Sequence, residues 1–215
     1  MKLYVYNHCP FCVRARMIFG LKNIHCDVIF LPNDDEKTPI ALIGKKMLPI
    51  LVTNEGNTIG ESLDIVRHID EMSGVPSFTQ PHSPKIDIWI ENASSPVYQL
   101  AVPRWAYSDY PEFKSIISRQ YFIDKKQVVF GNFSALINAS PSLIKNANQM
   151  LIELDQLLAD SQSTEAEGSL SDILLFPVLR SLSIVKGIEW PSGVDIWRKR
   201  MAAKSVIPLN DAMAL

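Results

Sequence analysis

Three cysteines in 215 residues are too few for a disulfide framework. The chain opens on Met1-Lys2 and a strand-like run with no leader pattern, so a reducing, cytoplasmic compartment is expected. No uncharged apolar run approaches the ~18 residues of a membrane span, and no membrane partner is expected. Charge of neither sign dominates, because 21 Lys and Arg stand against 23 Asp and Glu. Nucleic acid therefore finds no electrostatic footprint. Internal repeats and low-complexity tracts are missing, as is a second CxxC or CxxH pair. A zinc site built on the lone CxxC with His8, His25 and Cys26 would lack the usual paired ligands, and no metal is expected. What is present is 47% hydrophobic, sufficient for one large core or two small ones.

The most informative motif is Cys9-Pro10-Phe11-Cys12, set between a short β-favouring run at 2–7 and a helical stretch at 13–22. Disulfide exchange needs a thiolate, and an ordinary Cys is mostly protonated at neutral pH. A helix start offers unpaired N–H groups and the positive end of the macrodipole, which favour the anion. Cys9 is thus expected to be the more acidic thiol. Pro10 suits the first helical position, where a missing N–H costs nothing. Cys12 lies about one turn on and can close a disulfide; with Ala15 and Phe19 it follows one helical stripe, so it is expected to face inward while Cys9 stays open. Nucleophile and resolving thiol are the roles this predicts.

Periodicity divides the chain. Residues 1–72 read as βαβαββα, with strands at 3–6, 26–31, 49–53 and 58–59, helices at 10–22, 34–43 and 62–72, and a turn at Asn54-Glu55-Gly56-Asn57. Gly74, Pro76, Pro81 and Pro84 mark a linker over 73–84. Residues 85–215 read as helical. Ser83-Pro84 and Ser140-Pro141 are plausible starts, the first for a helix carrying Ile86, Trp89, Ile90, Ala93 and Val97, the second for a stripe of Leu143, Ala147, Met150, Leu154 and Leu157. Ser169 and Asp172 form an N-capping pattern ahead of 173–185, which is apolar nearly all round and should be the central buried helix, kinked at Pro177.

These residues resemble known families. Residues 1–72 are similar to a glutaredoxin-type thioredoxin fold, through the CPFC motif and Leu48-Pro49 ahead of the third strand. The second half resembles the all-helical domain of soluble glutathione transferases. The combination resembles the bacterial glutaredoxin 2 family over essentially the whole chain, including Ala15-Arg16-Met17-Ile18-Phe19-Gly20-Leu21-Lys22-Asn23, Asp124-Lys125-Lys126, Gly131-Asn132-Phe133 and Gly187-Ile188-Glu189-Trp190-Pro191. The fold class implied is an α/β N-terminal thioredoxin-like domain followed by an all-α glutathione-transferase-like domain.

The resemblance implies a glutathione-dependent thiol-disulfide oxidoreductase, with glutathione as co-substrate and no permanently bound cofactor. Cys9 and Cys12 would be catalytic. Cys9, Pro10, Phe11, Leu48, Pro49, Glu61 and Ser62 would bind substrate, with Leu48-Pro49 in the cis form and Leu48 pairing with the cysteinyl portion of glutathione. Glu61 would take the γ-glutamyl ammonium, and Ser62, capping a helix, would take the carboxylate. Lys45, Lys46 and a residue of the second domain remain open as partners of the glycyl carboxylate. Glutathionylated or disulfide-bonded proteins and, through glutathione disulfide, glutathione reductase are the implied partners, and the family implies a monomer.

Further expectations attach to neighbouring residues. Cys26 reads as a small buried hydrophobe. His8 either tunes the thiolate or faces the surface without a role. Arg14, Arg16 and Lys22 either support the site or form a solvated helix face. Rival readings are an omega-like glutathione transferase, a thioredoxin, and a scaffold or membrane-inserting relative of intracellular chloride channel proteins. Cys12 argues against the first and third, and the Pro-Phe spacer with Glu61-Ser62 argues against the second.

Overall fold

The computed structural model describes residues 1–72, 74, 76, 83–161 and 169–215. Of the expected linker over 73–84, only Gly74, Pro76, Ser83 and Pro84 fall among them. Chain order begins with β1 (Lys2–Val5), α1 (Pro10–Leu21), β2 (Asp27–Phe30), α2 (Lys37–Ile43), β3 (Ile50–Val52), β4 (Thr58–Ile59) and α3 (Ser62–Met72). It continues with α4 (Pro84–Tyr107), α5 (Ile116–Phe130), α6 (Phe133–Asn138), α7 (Ser140–Ser161), α8 (Leu170–Leu182) and α9 (Ser192–Ser205). Short 3₁₀ turns occupy Pro111–Phe113 and Asp211–Met213. This is the α/β-then-all-α architecture of the glutathione-transferase fold.

The four strands lie in the order β2-β1-β3-β4, with β1 and β2 parallel and the other pairs antiparallel. A parallel pair needs a crossover, and α1 supplies it. Leu3 and Val5 of β1 are buried, as are Ile50 and Leu51 of β3. They meet Val13, Met17 and Ile18 of α1 and Ile65, Val66 and Ile69 of α3 in one apolar cluster. Each fully buried side chain of this size stabilises the fold by roughly 2 kcal/mol.

Element ends differ from the sequence expectation for identifiable reasons. β1 stops at Val5 because the N–H of Tyr6 donates to Cys12 Sγ at 3.3 Å and so leaves the ladder. β3 stops at Val52 because the N–H of Thr53 donates to the Asn57 carbonyl and closes the turn. Helix α2 starts at Lys37, later than expected: Glu36 is its N-cap, and the side chain of the preceding Asp35 accepts from the Thr38 N–H at 3.0 Å. Helix α7 includes Ser140 as its first residue. Helix α8 carries the expected capping box, with the Ser169 N–H donating to Asp172 Oδ2 at 2.8 Å and the Asp172 N–H to Ser169 Oγ at 3.3 Å. It continues past Pro177 and ends at Leu182.

The two halves meet on α1, which packs against α3 within its own half and against α8 and α9 from the other. Helix α8 also packs on α4 and α9, so it is the central helix of the second half, as its apolar sequence predicts. Gly20 permits the close α1–α9 approach: a Cβ there would lie 2.1 Å from the backbone oxygen of Ser205. Backbone cannot yield to that contact, so Gly20→Ala is expected to destabilise by about 2 kcal/mol, outweighing the gain of about 1 kcal/mol in helix propensity. Urea unfolding checks this, and an unchanged midpoint would contradict it.

Candidate active site

Strand register brings three separated segments to one end of the sheet. Tyr4 lies opposite Ile50, so the ladder continued one step sets Pro49 beside Val5, at the end of β1 that leads to Cys9. Leu51 lies opposite Ile59, so Glu61 is level with Pro49. Cys9, Leu48-Pro49 and Glu61-Ser62 thus share one sheet end, although 53 positions of sequence separate first from last. The Leu48–Pro49 bond is cis, and both residues are buried. Glu61, whose carbonyl accepts from the Ile65 N–H at 3.0 Å, occupies the cap position of α3, and buried Ser62 is its first residue. This corrects the expectation that Ser62 itself is the cap.

Cys9 is the N-cap of α1, with extended backbone (φ −68°, ψ 121°), Pro10 in the first helical position and its own carbonyl accepting from the Val13 N–H at 2.9 Å. Residue Cys9 is partly exposed, whereas Cys12 is fully buried. The hydrogen bond from the Cys12 thiol, followed by the charge of His8 and the N–H groups of Cys12 and Phe11, outweighs burial and lowers Cys9 from an ordinary 9 to about 6. Burial, and then the adjoining Cys9, push Cys12 well above the ordinary value. Two thiols one turn apart are therefore held in opposite states: Cys9 as thiolate, Cys12 as a neutral donor. Phe11, half exposed at 50%, forms part of the rim, with the Arg14 guanidinium 4.8 Å from its ring centroid.

The second half reaches into this site. His8 is buried and not at the surface, which corrects one branch of the sequence reading. Its Nδ1 lies 2.6 Å from Glu112 Oε1, and its backbone N–H donates to the same oxygen at 2.9 Å. Burial raises the Glu112 carboxyl, but the hydrogen bonds and charge of His8 prevail and hold it below the usual range. Arg180 of α8, buried among apolar residues, donates from Nη1 to the Asn7 carbonyl at 2.8 Å, from Nη2 to Asn7 Oδ1 at 2.9 Å and from Nε to the Pro208 carbonyl at 2.9 Å. Arg16 Nη1 also donates to Asn7 Oδ1, at 2.9 Å. The Asn7-His8 segment that delivers Cys9 is thereby fixed by side chains from both halves.

Other sequence candidates are placed as follows. Arg14 and Arg16 are half-buried and Lys22 pairs with Asp70 Oδ1 at 2.6 Å, so these cations do not form a solvated helix face. Lys46 Nζ donates to the carbonyls of Asn33 at 2.8 Å and Asp35 at 2.6 Å, while exposed Lys45 stands 3.5 Å from Glu61. Cys26 is half-buried, its thiol pushed up to about 11 by burial, and it lies at a groove of about 390 Å³ between α1, β2 and α9, away from the sheet end described above. His25 is exposed against Asp27. Among the described residues no cluster of three or more His, Cys, Asp or Glu side chains is arranged to hold a metal ion. Sequence reasoning missed Glu112, Arg180 and Asn7. A lone arginine in a helix otherwise apolar all round was the available signal for Arg180, whereas nothing in Tyr110-Pro111-Glu112 marks Glu112.

A thiolate–thiol pair at a helix start, beside a cis-proline loop and under a helical second half, defines a thioredoxin-type redox site on a glutathione-transferase scaffold. Comparison narrows this class. Residues 85–214 match the family described as Glutaredoxin 2, C terminal domain, and residues 3–77 match Glutathione S-transferase, N-terminal domain. Glutaredoxin 2 of Escherichia coli strain K12 is 43% identical over 215 residues, covering 100% of both chains. The crystal structure of glutaredoxin 2 from Salmonella typhimurium in complex with glutathione superposes with a TM-score of 0.94 at 44% identity, covering 100% of this chain and 98% of that one. A tau class glutathione S-transferase from mango shares the fold at a TM-score of 0.60 and 17% identity, covering 99% of this chain and 94% of that one. The chain belongs to the glutaredoxin 2 family.

Proposed function

We propose that the protein is a glutathione-dependent thiol-disulfide oxidoreductase that reduces glutathione mixed disulfides and protein disulfides. The observation that carries this reading is the partly exposed Cys9, lowered to about 6, next to a buried Cys12 held as a neutral thiol. The glutathione complex of the 44%-identical relative supports the choice of co-substrate.

Cys9 thiolate attacks the glutathione sulfur of a mixed disulfide. The S–S bond breaks, the target thiolate leaves and takes a proton from solvent, and glutathione remains disulfide-bonded to Cys9. A second glutathione thiolate attacks that disulfide, releasing glutathione disulfide and regenerating the Cys9 thiolate. With a protein disulfide the target itself becomes bonded to Cys9. Cys12 then gives up its proton and displaces the target, and two glutathione molecules reduce the Cys9–Cys12 bridge. Glutathione reductase recycles glutathione disulfide.

For binding, Pro10 and Phe11 line the approach to Cys9, and the Leu48 backbone ahead of cis-Pro49 pairs with the cysteinyl portion of glutathione. Glu61 takes the γ-glutamyl ammonium, and the free N–H groups of α3 from Ser62 onward take its carboxylate. Lys46 uses two of its three ammonium donors on carbonyls and exposed Lys45 stands 3.5 Å from Glu61, so the glycyl carboxylate is taken by one of these or by a residue of the second half. Among the described residues no helix is long and apolar enough to cross a membrane; we place the protein in the cytoplasm as a monomer.

The test is glutathione-dependent reduction of a small glutathione mixed disulfide coupled to glutathione reductase. Turnover by the reduced protein is expected, and its absence would transfer the reading to conjugation or binding.

A further inference from the structure

We infer that Arg14 of α1 and Tyr98 of α4 form a carboxylate seat beside Cys9, which selects disulfide partners that carry an acidic group next to the reacting sulfur. This rests on the reading of Cys9 as nucleophile. The seat serves the partner exchanged with glutathione and not glutathione itself.

Arg14 follows the motif directly in α1 but for Val13, and its guanidinium lies 4.8 Å from the ring centroid of half-exposed Phe11 at the rim. The aromatic face holds the cation there. Arg14 Nε is buried without a hydrogen-bond partner, and no carboxylate among the described residues pairs with this guanidinium. Arg16 of the same helix shows the contrast, since its Nη1 donates to Asn7 Oδ1 at 2.9 Å. A guanidinium drawn out of water ordinarily recovers its lost solvation from a carboxylate or carbonyl. Arg14 has the charge and an open donor, and the fold supplies neither partner.

Tyr98 supplies the second group. It packs on Trp105 at 6.1 Å between centroids, and Trp105 packs on His8 at 5.1 Å, so Tyr98 stands two rings away from the residue that precedes Cys9. Its hydroxyl has no hydrogen-bond partner among the described residues. Burial raises Tyr98 to about 12, with the charge of Arg14 opposing and that of Cys9 adding, so the hydroxyl remains a donor. Burial likewise lowers Arg14, and Tyr98 and Cys9 oppose it. The three groups are thus within electrostatic reach of one another. A guanidinium fork beside a protonated phenol, with no acid of its own, is complementary to a carboxylate. The contacts proposed for glutathione come from β3 and α3, whereas Arg14 and Tyr98 lie on α1 and α4. The carboxylate they fit is an acidic side chain close to the target cysteine.

The test compares two mixed disulfides of glutathione that differ in one group, those with mercaptoacetate and with mercaptoacetamide, on the full-length reduced protein. Each kcat/KM is divided by the rate constant of the same disulfide with free glutathione, which removes the difference between the two leaving thiols. The wild type should prefer the acid about tenfold, Arg14→Met should prefer neither, and Arg14→Lys should keep part of the preference. Tyr98→Phe retains the ring on Trp105 and should lower the preference about threefold. A wild type without preference overturns the proposal whether or not Arg14→Met folds, and so does a folded Arg14→Met that keeps the preference. The pair is then rebuilt with the glycyl ethyl ester of glutathione. Preference for the acid should persist, and its loss would assign the seat to the glycyl carboxylate and overturn the proposal. Absent turnover of both disulfides overturns the oxidoreductase reading and the seat together, whereas equal normalised turnover overturns the seat alone.

Discussion

Replacing Cys9 by Ser is expected to reduce turnover of a glutathione mixed disulfide to the uncatalysed background, while Cys12→Ser retains activity of the same order as the wild type. The contrast follows from the chemistry of each sulfur. A serine hydroxyl at position 9 is not ionised near neutral pH and cannot displace a thiolate. At position 12 the side chain has two separable duties: donating a hydrogen bond to the Cys9 thiolate, and resolving protein mixed disulfides. A serine hydroxyl keeps the first and loses the second. Cys12→Ser should therefore fail on protein disulfides that require resolution, and Cys12→Ala should raise the pH needed for Cys9 alkylation, since the largest effect lowering Cys9 is the bond from Cys12. The coupled assay with both substrate types measures this. Equal loss in Cys9→Ser and Cys12→Ser on the small mixed disulfide would rule out the monothiol route.

The second large effect is expected at Arg180, which is 2% exposed. Arg180→Met leaves the carbonyls of Asn7 and Pro208 without this donor in a buried setting, at a cost of about 3 kcal/mol. For a chain of this size each kcal/mol lowers Tm by about 2–4 °C, so a fall of about 6–12 °C is expected by calorimetry. Arg180→Lys should recover less than half, because a point ammonium cannot reproduce three bonds made by a planar fork. The remaining folded Arg180→Met should also reduce mixed disulfides more slowly, since the Asn7-His8 segment that carries Cys9 loses its tether. A Tm within about 2 °C of the wild type would show that water or neighbouring donors replace the guanidinium.

Much of the site is legible in linear order because its chemistry is local. The CPFC motif places both thiols within one helical turn, and the stripe of Cys12, Ala15 and Phe19 predicts which sulfur faces inward; all three are buried. Glu61-Ser62 is recognisable after a hairpin, although the cap position falls on Glu61. What could not be read is which distant group would meet each polar residue. His8 is equally compatible with surface and interior in sequence, and it is buried because Glu112, 104 residues on, meets both its backbone N–H and its ring. Lys46 resembles an available cation until the carbonyls of Asn33 and Asp35 are seen to hold it.

By itself the sequence determined the two-part architecture, the helix that carries the thiols, the buried stripe of α4 and the central place of α8, because hydrophobic periodicity and turn chemistry act over a few residues. The tertiary structure alone decided the electrostatics of the nucleophile's surroundings. Asn7 meets Arg180 across 173 residues, and His8 meets Glu112 across the boundary between the halves. Periodicity specifies that a face is buried but not what it is buried against, and for a charged group in a low-dielectric interior the identity of that neighbour sets both its protonation state and its role.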